Sequence, residues 1–203
     1  MKYNNIILVI IAIVVSNNAK ADSWTVIQTT TITMNQLSLT QDATTASTQA
    51  VNHINLNMTN GEIRGTQTFN GSGKNIVFVQ NNTTNSRQAI NRISAATVTS
   101  ATQTVTANSI SFNQNDSGTG NNIQAGNLIE TNSFTTGGIS QSLNVNTINF
   151  KVNGSEAENM TDNIQAANVI ITGSGNSQNV QTSTVSIVTS SSSNSSLNYF
   201  KLK

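Results

Sequence analysis

The chain has 203 residues, a formal net charge of +1, only 8% charged side chains, one histidine, and neither cysteine nor proline. This composition excludes a disulfide-stapled scaffold and a cysteine-based zinc site, and it leaves no basic patch for nucleic acid. An ordinary globular domain is roughly one quarter charged. Here Asn, Thr, Ser and Gln take those places, and a nearly neutral, amide-rich surface offers little repulsion between copies.

The chain opens with one basic side chain in Met1–Asn5, continues with an unbroken apolar run from Ile6 to Val15, and reaches Ala19-Lys20-Ala21. That order predicts a secretory signal peptide over 1–21, cut after Ala21. The apolar run is short of the roughly 20 residues that span a bilayer, so no stable membrane span is expected after cleavage. An uncleaved anchor is the alternative. Loss of Lys2 and Lys20 leaves seven basic residues against eight acidic ones, a net charge near −1.

Residues 22–48 read as an N-terminal strand region or cap. Trp24, Val26, Ile32, Met34, Leu37 and Leu39 stand among threonines, and Gln41–Ser47 is a polar connector. Next comes Gln-Ala-x-Asn-x-Ile, starting at Gln49, Gln88, Gln124 and Gln165, with steps of 39, 36 and 41 residues. Such self-similarity marks a stacked repeat. The expected fold is all-β, a β-solenoid of about four imperfect repeats of 36–41 residues. Their bounds are 49–87, 88–123, 124–164 and 165–188, with a Ser-rich tail or cap over 189–203.

A second element recurs: Thr66-Gln67-Thr68-Phe69 before Ile76-Val77-Phe78, Thr102-Gln103-Thr104-Val105 before Ile110-Ser111-Phe112, and Ser140-Gln141-Ser142-Leu143 before Ile148-Asn149-Phe150. Gln181-Thr182 before Val185-Ser186-Ile187 is its last form. Each repeat therefore reads as two halves of about 19 residues, each the length of a strand–turn–strand layer. Absence of proline suits central strands.

Strand parity puts Ala50, Asn52 and Ile54 on one face, read as inward, and Gln49, Val51 and His53 on the other. The ladder predicted to stack the repeats is Gln49, Asn52, Gln88, Asn91, Gln124, Asn127, Gln165 and Asn168, since buried amides satisfy one another when copies are superposed. The predicted core stripe is Ile54, Ile76, Phe78, Ile93, Ile110, Phe112, Ile129, Ile148, Phe150, Ile170, Val185 and Ile187. Turns are expected at Asn60-Gly61, Asn70–Gly73, Asp116–Gly120, Gly137-Gly138, Asn153-Gly154 and Gly173–Gly175.

Chemistry is sparse. His53 has Arg92, Leu128 and Val169 as its counterparts, which suits the outer side of a strand better than a catalytic base. Glu62, Glu130, Glu156, Glu158 and Asp162 lie apart on turns. Asn115–Asn121 holds one carboxylate and no closing Glu, so a glycine-rich turn fits it better than a calcium loop. No enzyme, cofactor or metal is expected.

Secreted Gln/Asn-rich repeats carried by Gln49, Gln88, Gln124 and Gln165 with their partner asparagines resemble the bacterial functional amyloids, the curli and Fap-type fibre subunits. That resemblance implies subunits that leave the cell unfolded, stack into β-solenoid layers and polymerise end to end in biofilm matrix. Open strands at a solenoid's ends are templates for a further copy on physical grounds as well. The expected function is a secreted bacterial structural protein that self-assembles into extracellular fibres or matrix. Its partners are copies of itself and a dedicated outer-membrane secretion or nucleator system. Two other classes stay open. A monomeric binding module, an adhesin or ice-binding solenoid, would use ranks of Thr-x-Thr such as Thr66/Thr68 and Thr102/Thr104. An enzyme on a parallel β-helix, such as a polysaccharide lyase, would need clustered acids and bases.

Overall fold

The computed structural model describes residues 9–19, 22–56, 61–115, 121–134, 138–152, 164–174, 180–191 and 196–202, with the backbone alone for 9–19, 180–191, 196–202 and a few strand ends. The predicted turns at 116–120 and 153–154, and Glu156, Glu158 and Asp162, lie outside the described residues. So do the side chains of Val185 and Ile187. Among the described residues there is no helix. Eleven strands join in one sheet: β1 (Val9–Ala19), β2 (Asp22–Thr31), β3 (Gln36–Asp42), β4 (Thr48–Leu56), β5 (Glu62–Asn81), β6 (Arg87–Asn115), β7 (Ile123–Phe134), β8 (Ile139–Val152), β9 (Ile164–Ser174), β10 (Val180–Ser191) and β11 (Ser196–Leu202).

Every pairing is parallel except that of β1 with β2, and the parallel strands stack as a β-solenoid. Three ranks of strands run up the stack. The first holds β2, the front of β5, the middle of β6, the front of β8, and β10. The second holds β3, the rear portions of β5, β6 and β8, and the end of β10. The third holds β4, the front of β6, β7, β9 and β11. Each repeat thus crosses three ranks rather than two equal halves. The physical reason is that β5 and β6, 20 and 29 residues long, turn corners without leaving the sheet. At one such corner the register shifts between Gly71 and Asn75. With no proline, no donor is missing along these long strands.

One coil equals one sequence repeat, so like residues superpose. Gln49 pairs with Gln88, Gln88 with Gln124, and Gln124 with Gln165. Residues 22–48 stack in the same register, as Gln28 on Gln67 and Leu39 on Phe78. At the other end, β11 pairs with β9 although it lacks the Gln-Ala-x-Asn-x-Ile sequence.

The polar connector before each of the first two motifs is a built corner. Asp42-Ala43-Thr44-Thr45-Ala46-Ser47 and Asn81-Asn82-Thr83-Thr84-Asn85-Ser86 follow one path, with left-handed backbone at Ala43 and Ala46 and again at Asn82 and Asn85. Main-chain bonds tie the two corners together, from Ala43 N to Asn81 O at 2.9 Å and from Ala46 N to Thr84 O at 2.8 Å. Asn tolerates this conformation, whereas alanine carries a cost of about 1 kcal/mol.

The interior holds two apolar cores. The larger contains Phe69, Ile76, Phe78, Ile90, Val105, Ile110, Phe112, Leu143, Ile148 and Phe150. The smaller contains Ile54, Ile63, Ile93, Val98, Ile129 and Ile170. Phe78, Phe112 and Phe150 stack in one column, with centroids 5.1 and 5.3 Å apart and ring planes 10° apart. Gly126 lies in the column of Ile90, and a Cβ there would overlap Leu143 and come 2.8 Å from Ala167 O.

The inward face of the third rank differs from the parity reading. Gln88, Ile90, Asn91 and Ile93 point in, while Ala89 packs with Ala125, Ala166, Leu128 and Val169 on the other side. Two consecutive residues, Ile90 and Asn91, face the interior, and the ladder skips position 90. A bulge of this kind breaks the period of two, so Gln and Asn share the inside and Ala is turned out.

Candidate functional site

The candidate site is the set of stacked amides that line the interior. In the third rank, Gln88 Nε2 donates to Gln49 Oε1 at 2.9 Å, Gln124 to Gln88 at 2.9 Å, and Gln165 to Gln124 at 2.8 Å. Three residues further along the same strands, Asn52 Nδ2 donates to Asn91 Oδ1, Asn91 to Asn127 and Asn127 to Asn168, at 2.8, 2.9 and 2.8 Å. The first rank carries a third column: Gln67 donates to Gln28, Gln103 to Gln67 and Gln141 to Gln103, each at 2.8 Å.

Each amide nitrogen also donates across the interior to a main-chain carbonyl. Gln67 reaches Arg92 O, Gln103 reaches Leu128 O, Gln88 reaches Val79 O and Asn91 reaches Thr104 O, at 2.9–3.1 Å. A carbonyl only accepts, so these bonds dictate which end of each amide carries the NH₂ group. These two glutamine columns therefore donate toward the chain's N-terminal end, as does Gln80 to Gln41 in the second rank at 2.9 Å, and the asparagine column donates toward its C-terminal end. Thr30 starts the asparagine column by donating its hydroxyl to Asn52 Oδ1 at 2.6 Å.

Gln67, Gln103, Asn91 and Asn127 are fully buried. They form a polar partition between the two apolar cores, and each repeat contributes one Gln and one Asn to it. The column Gln28–Gln67–Gln103–Gln141 is absent from the sequence-based ladder, which took Thr-Gln-Thr for its threonines. Its signal was there: Gln67 has the parity of Phe69, and a buried Phe69 carries Gln67 inside with it. Asn91→Ala leaves Asn127 Oδ1 and Thr104 O without their donor, and the expected loss of stability is about 2 kcal/mol. Urea unfolding of the purified variant measures it; a midpoint equal to that of the parent chain would show the partition to be energetically idle.

The predicted core residues Ile54, Ile76, Phe78, Ile93, Ile110, Phe112, Ile129, Ile148, Phe150 and Ile170 are all buried. His53 lies outside the interior, as do Arg87, Arg92 and Glu130, which meet on the outer side of the third rank. Glu130 Oε1 accepts from Arg87 at 2.8 Å, and its Oε2 accepts from Arg92 at 2.7 Å. Arg92 also donates to His53 Nε2. Burial pushes the Glu130 carboxyl up, but the two guanidiniums and their hydrogen bonds outweigh it and hold the group below its ordinary value. Burial, then the Arg92 charge, lowers the His53 pKa, with Glu130 opposing. A neutral His53 is what accepting from Arg92 requires. Arg87, Arg92 and Glu130 thus form a largely buried ion-pair cluster on the outer side of the third rank.

On the outer side of the first rank, Thr29, Thr68, Thr104 and Ser142 form one column, and Thr66, Thr102 and Ser140 another. Comparison with family models, with curated proteins and with solved structures gives no match. The class that the fold defines is a parallel β-solenoid with amide ladders inside.

Proposed function

We propose that this chain is a secreted bacterial structural protein whose copies self-assemble into extracellular fibres or biofilm matrix, as functional amyloids do. The observation that carries this reading is the state of the ladder ends. Every described parallel strand inside the stack is paired on both edges, so open edges lie at the two ends, that of β2 once β1 is removed. Between Ser23 and Leu56 there is one acidic residue, Asp42, and no Lys or Arg, and β10 carries no charge at all. β11, at the same end, carries one, Lys201, so the two ends hold few of the charges that ordinarily blunt an exposed edge. The protein acts by pairing, with no reaction, cofactor or metal, and its partners are further copies together with a secretion or nucleator system at the outer membrane. Secretion follows from the leader-like segment 1–21.

The test is dilution of the chain beginning at Asp22 from denaturant, followed by thioflavin fluorescence with and without preformed seeds, electron microscopy and fibre diffraction. Seeds are expected to abolish the lag, and the fibres to show a spacing of about 4.7 Å along their axis. A soluble monomer with strand-type circular dichroism, unmoved by seeds, rules the reading out. The two hydroxyl columns of the first rank favour one second reading, a monomeric adhesin or ice-binding module using that face. Such a protein stays monomeric, and Thr68→Tyr or Thr104→Tyr abolishes its binding to glycan or ice.

A further inference from the structure

The ladders do not run out evenly at the two ends. Gln141 and Gln165 are buried, 1% and 4% exposed. Their Oε1 atoms nonetheless have no hydrogen-bond partner, and neither does the buried Gln80 Oε1, which lies inside the column Gln41–Gln80–Gln114. Gln141 and Gln165 are the last glutamines of their columns. β10 sets Ser183 against Gln141, and after Gln181, which falls in the register shift between Val180 and Thr182, the chain has no further glutamine. A buried acceptor left unmade is destabilising.

At the opposite end the complementary groups are spare. Gln28 Nε2 donates only to His53 O, and Gln49 Nε2 only to Thr40 O. An NH₂ group carries two hydrogens. In every later coil the second one serves the Oε1 of the coil before. Gln28 and Gln49 have no coil before them.

We infer that β10–β11 is a replaceable cap, and that in the assembled state β2, β3 and β4 of the next copy stack directly on β8 and β9. Gln28 then donates to Gln141 and Gln49 to Gln165. This inference rests on the self-assembly reading and adds its register. The rest of the interface matches in the same alignment: Leu39 falls on Phe150, Asn52 on Asn168 and Ile54 on Ile170, as the columns already stack within the chain. Asp42 meets no like charge, since its column runs through Asn81 and Asn115. β1 pairs with the edge of β2 that the next copy needs, so removal of 1–21 opens the site.

The chain has no cysteine, so introduced pairs report the register directly. Thr29 and Ser142 share one outward column but stand three strand spacings apart within a copy, about 14 Å. A disulfide needs Cα atoms within about 7 Å. Thr29→Cys with Ser142→Cys, in the chain beginning at Asp22, is expected to give an oxidised ladder of covalent multimers from fibres. The full chain, with β1 in place, gives none. Ile27→Cys with Ser140→Cys repeats the test at neighbouring positions should the first pair fail to fold by circular dichroism. Multimers from Thr29→Cys with Thr184→Cys place the next copy on top of β10 and overturn the register, as do fibres that neither the 29–142 nor the 27–140 pair cross-links. Absence of fibres from the parent chain overturns the self-assembly reading along with it, so the two failures are told apart by microscopy.

Discussion

Phe112→Ala lowers the free energy of unfolding by about 3–5 kcal/mol. Phe112 is fully buried in the larger core and is the middle ring of the Phe78–Phe112–Phe150 column. Its removal deletes apolar surface, opens a cavity that the sheet cannot close because the backbone spacing is held by ladder hydrogen bonds, and breaks two ring contacts of about 0.5–1.5 kcal/mol each. Phe112→Leu keeps most of the volume and loses much less. The urea midpoint of each variant, at unchanged slope, is the measurement. An alanine variant within about 0.5 kcal/mol of the parent would place the ring outside any cooperative core.

Glu130→Ala is expected to cost about 3 kcal/mol, because it strands two guanidiniums whose side chains are only 19% and 11% exposed. Replacing Arg87, Arg92 and Glu130 together by Leu is expected to cost far less than the single change, since no charge is left unpaired. The same cluster sets a pH dependence. Both Glu130 and His53 have folded-state pKa values below their ordinary 4.5 and 6.5. In each case the unfolded chain binds the proton first. Their contributions are therefore complete above the unfolded values and are lost as pH falls, first that of His53 below about 6.5 and then that of Glu130 below about 4.5. Urea midpoints measured from pH 8 to pH 3 are expected to be flat above pH 7 and to fall in two stages. His53→Leu removes the upper stage alone. A midpoint that rises on acidification contradicts the assignment.

The steps of 39, 36 and 41 residues between Gln49, Gln88, Gln124 and Gln165 already contain the coil. In a solenoid one turn returns the chain to the same place one strand spacing higher, so the sequence period is the spatial period and identical residues must superpose. The amides then reveal themselves, because a buried Gln or Asn repeated at that period has its own copy as the natural partner. For the same reason Ile76, Phe78, Ile110 and Phe112 are legible as core: their alternation is local and unbroken.

What the tertiary structure alone decided depends on departures from period two and on contacts across the coil. The bulge at Ile90–Asn91 turns Ala89 out and Gln88 in, and no propensity marks it, because Val51, Ile90, Gly126 and Ala167 share the position without sharing a size. Three ranks rather than two halves follow from corners that β5 and β6 round within the sheet; Asn70–Gly73 marks the one in β5, and β6 has no glycine or proline to mark its own. Gln28, Gln67, Gln103 and Gln141 become a partition only when the third rank brings the carbonyls of His53, Arg92, Leu128 and Val169 opposite them. Arg87 and Arg92 meet Glu130 because stacking sets residues 43 and 38 apart side by side. The sequence by itself determined the period, the strand chemistry and the ladder residues of the third rank, since these repeat along the chain. The side each residue faces and the partner it finds across the interior were decided by closure of the coil, which is a property of three dimensions.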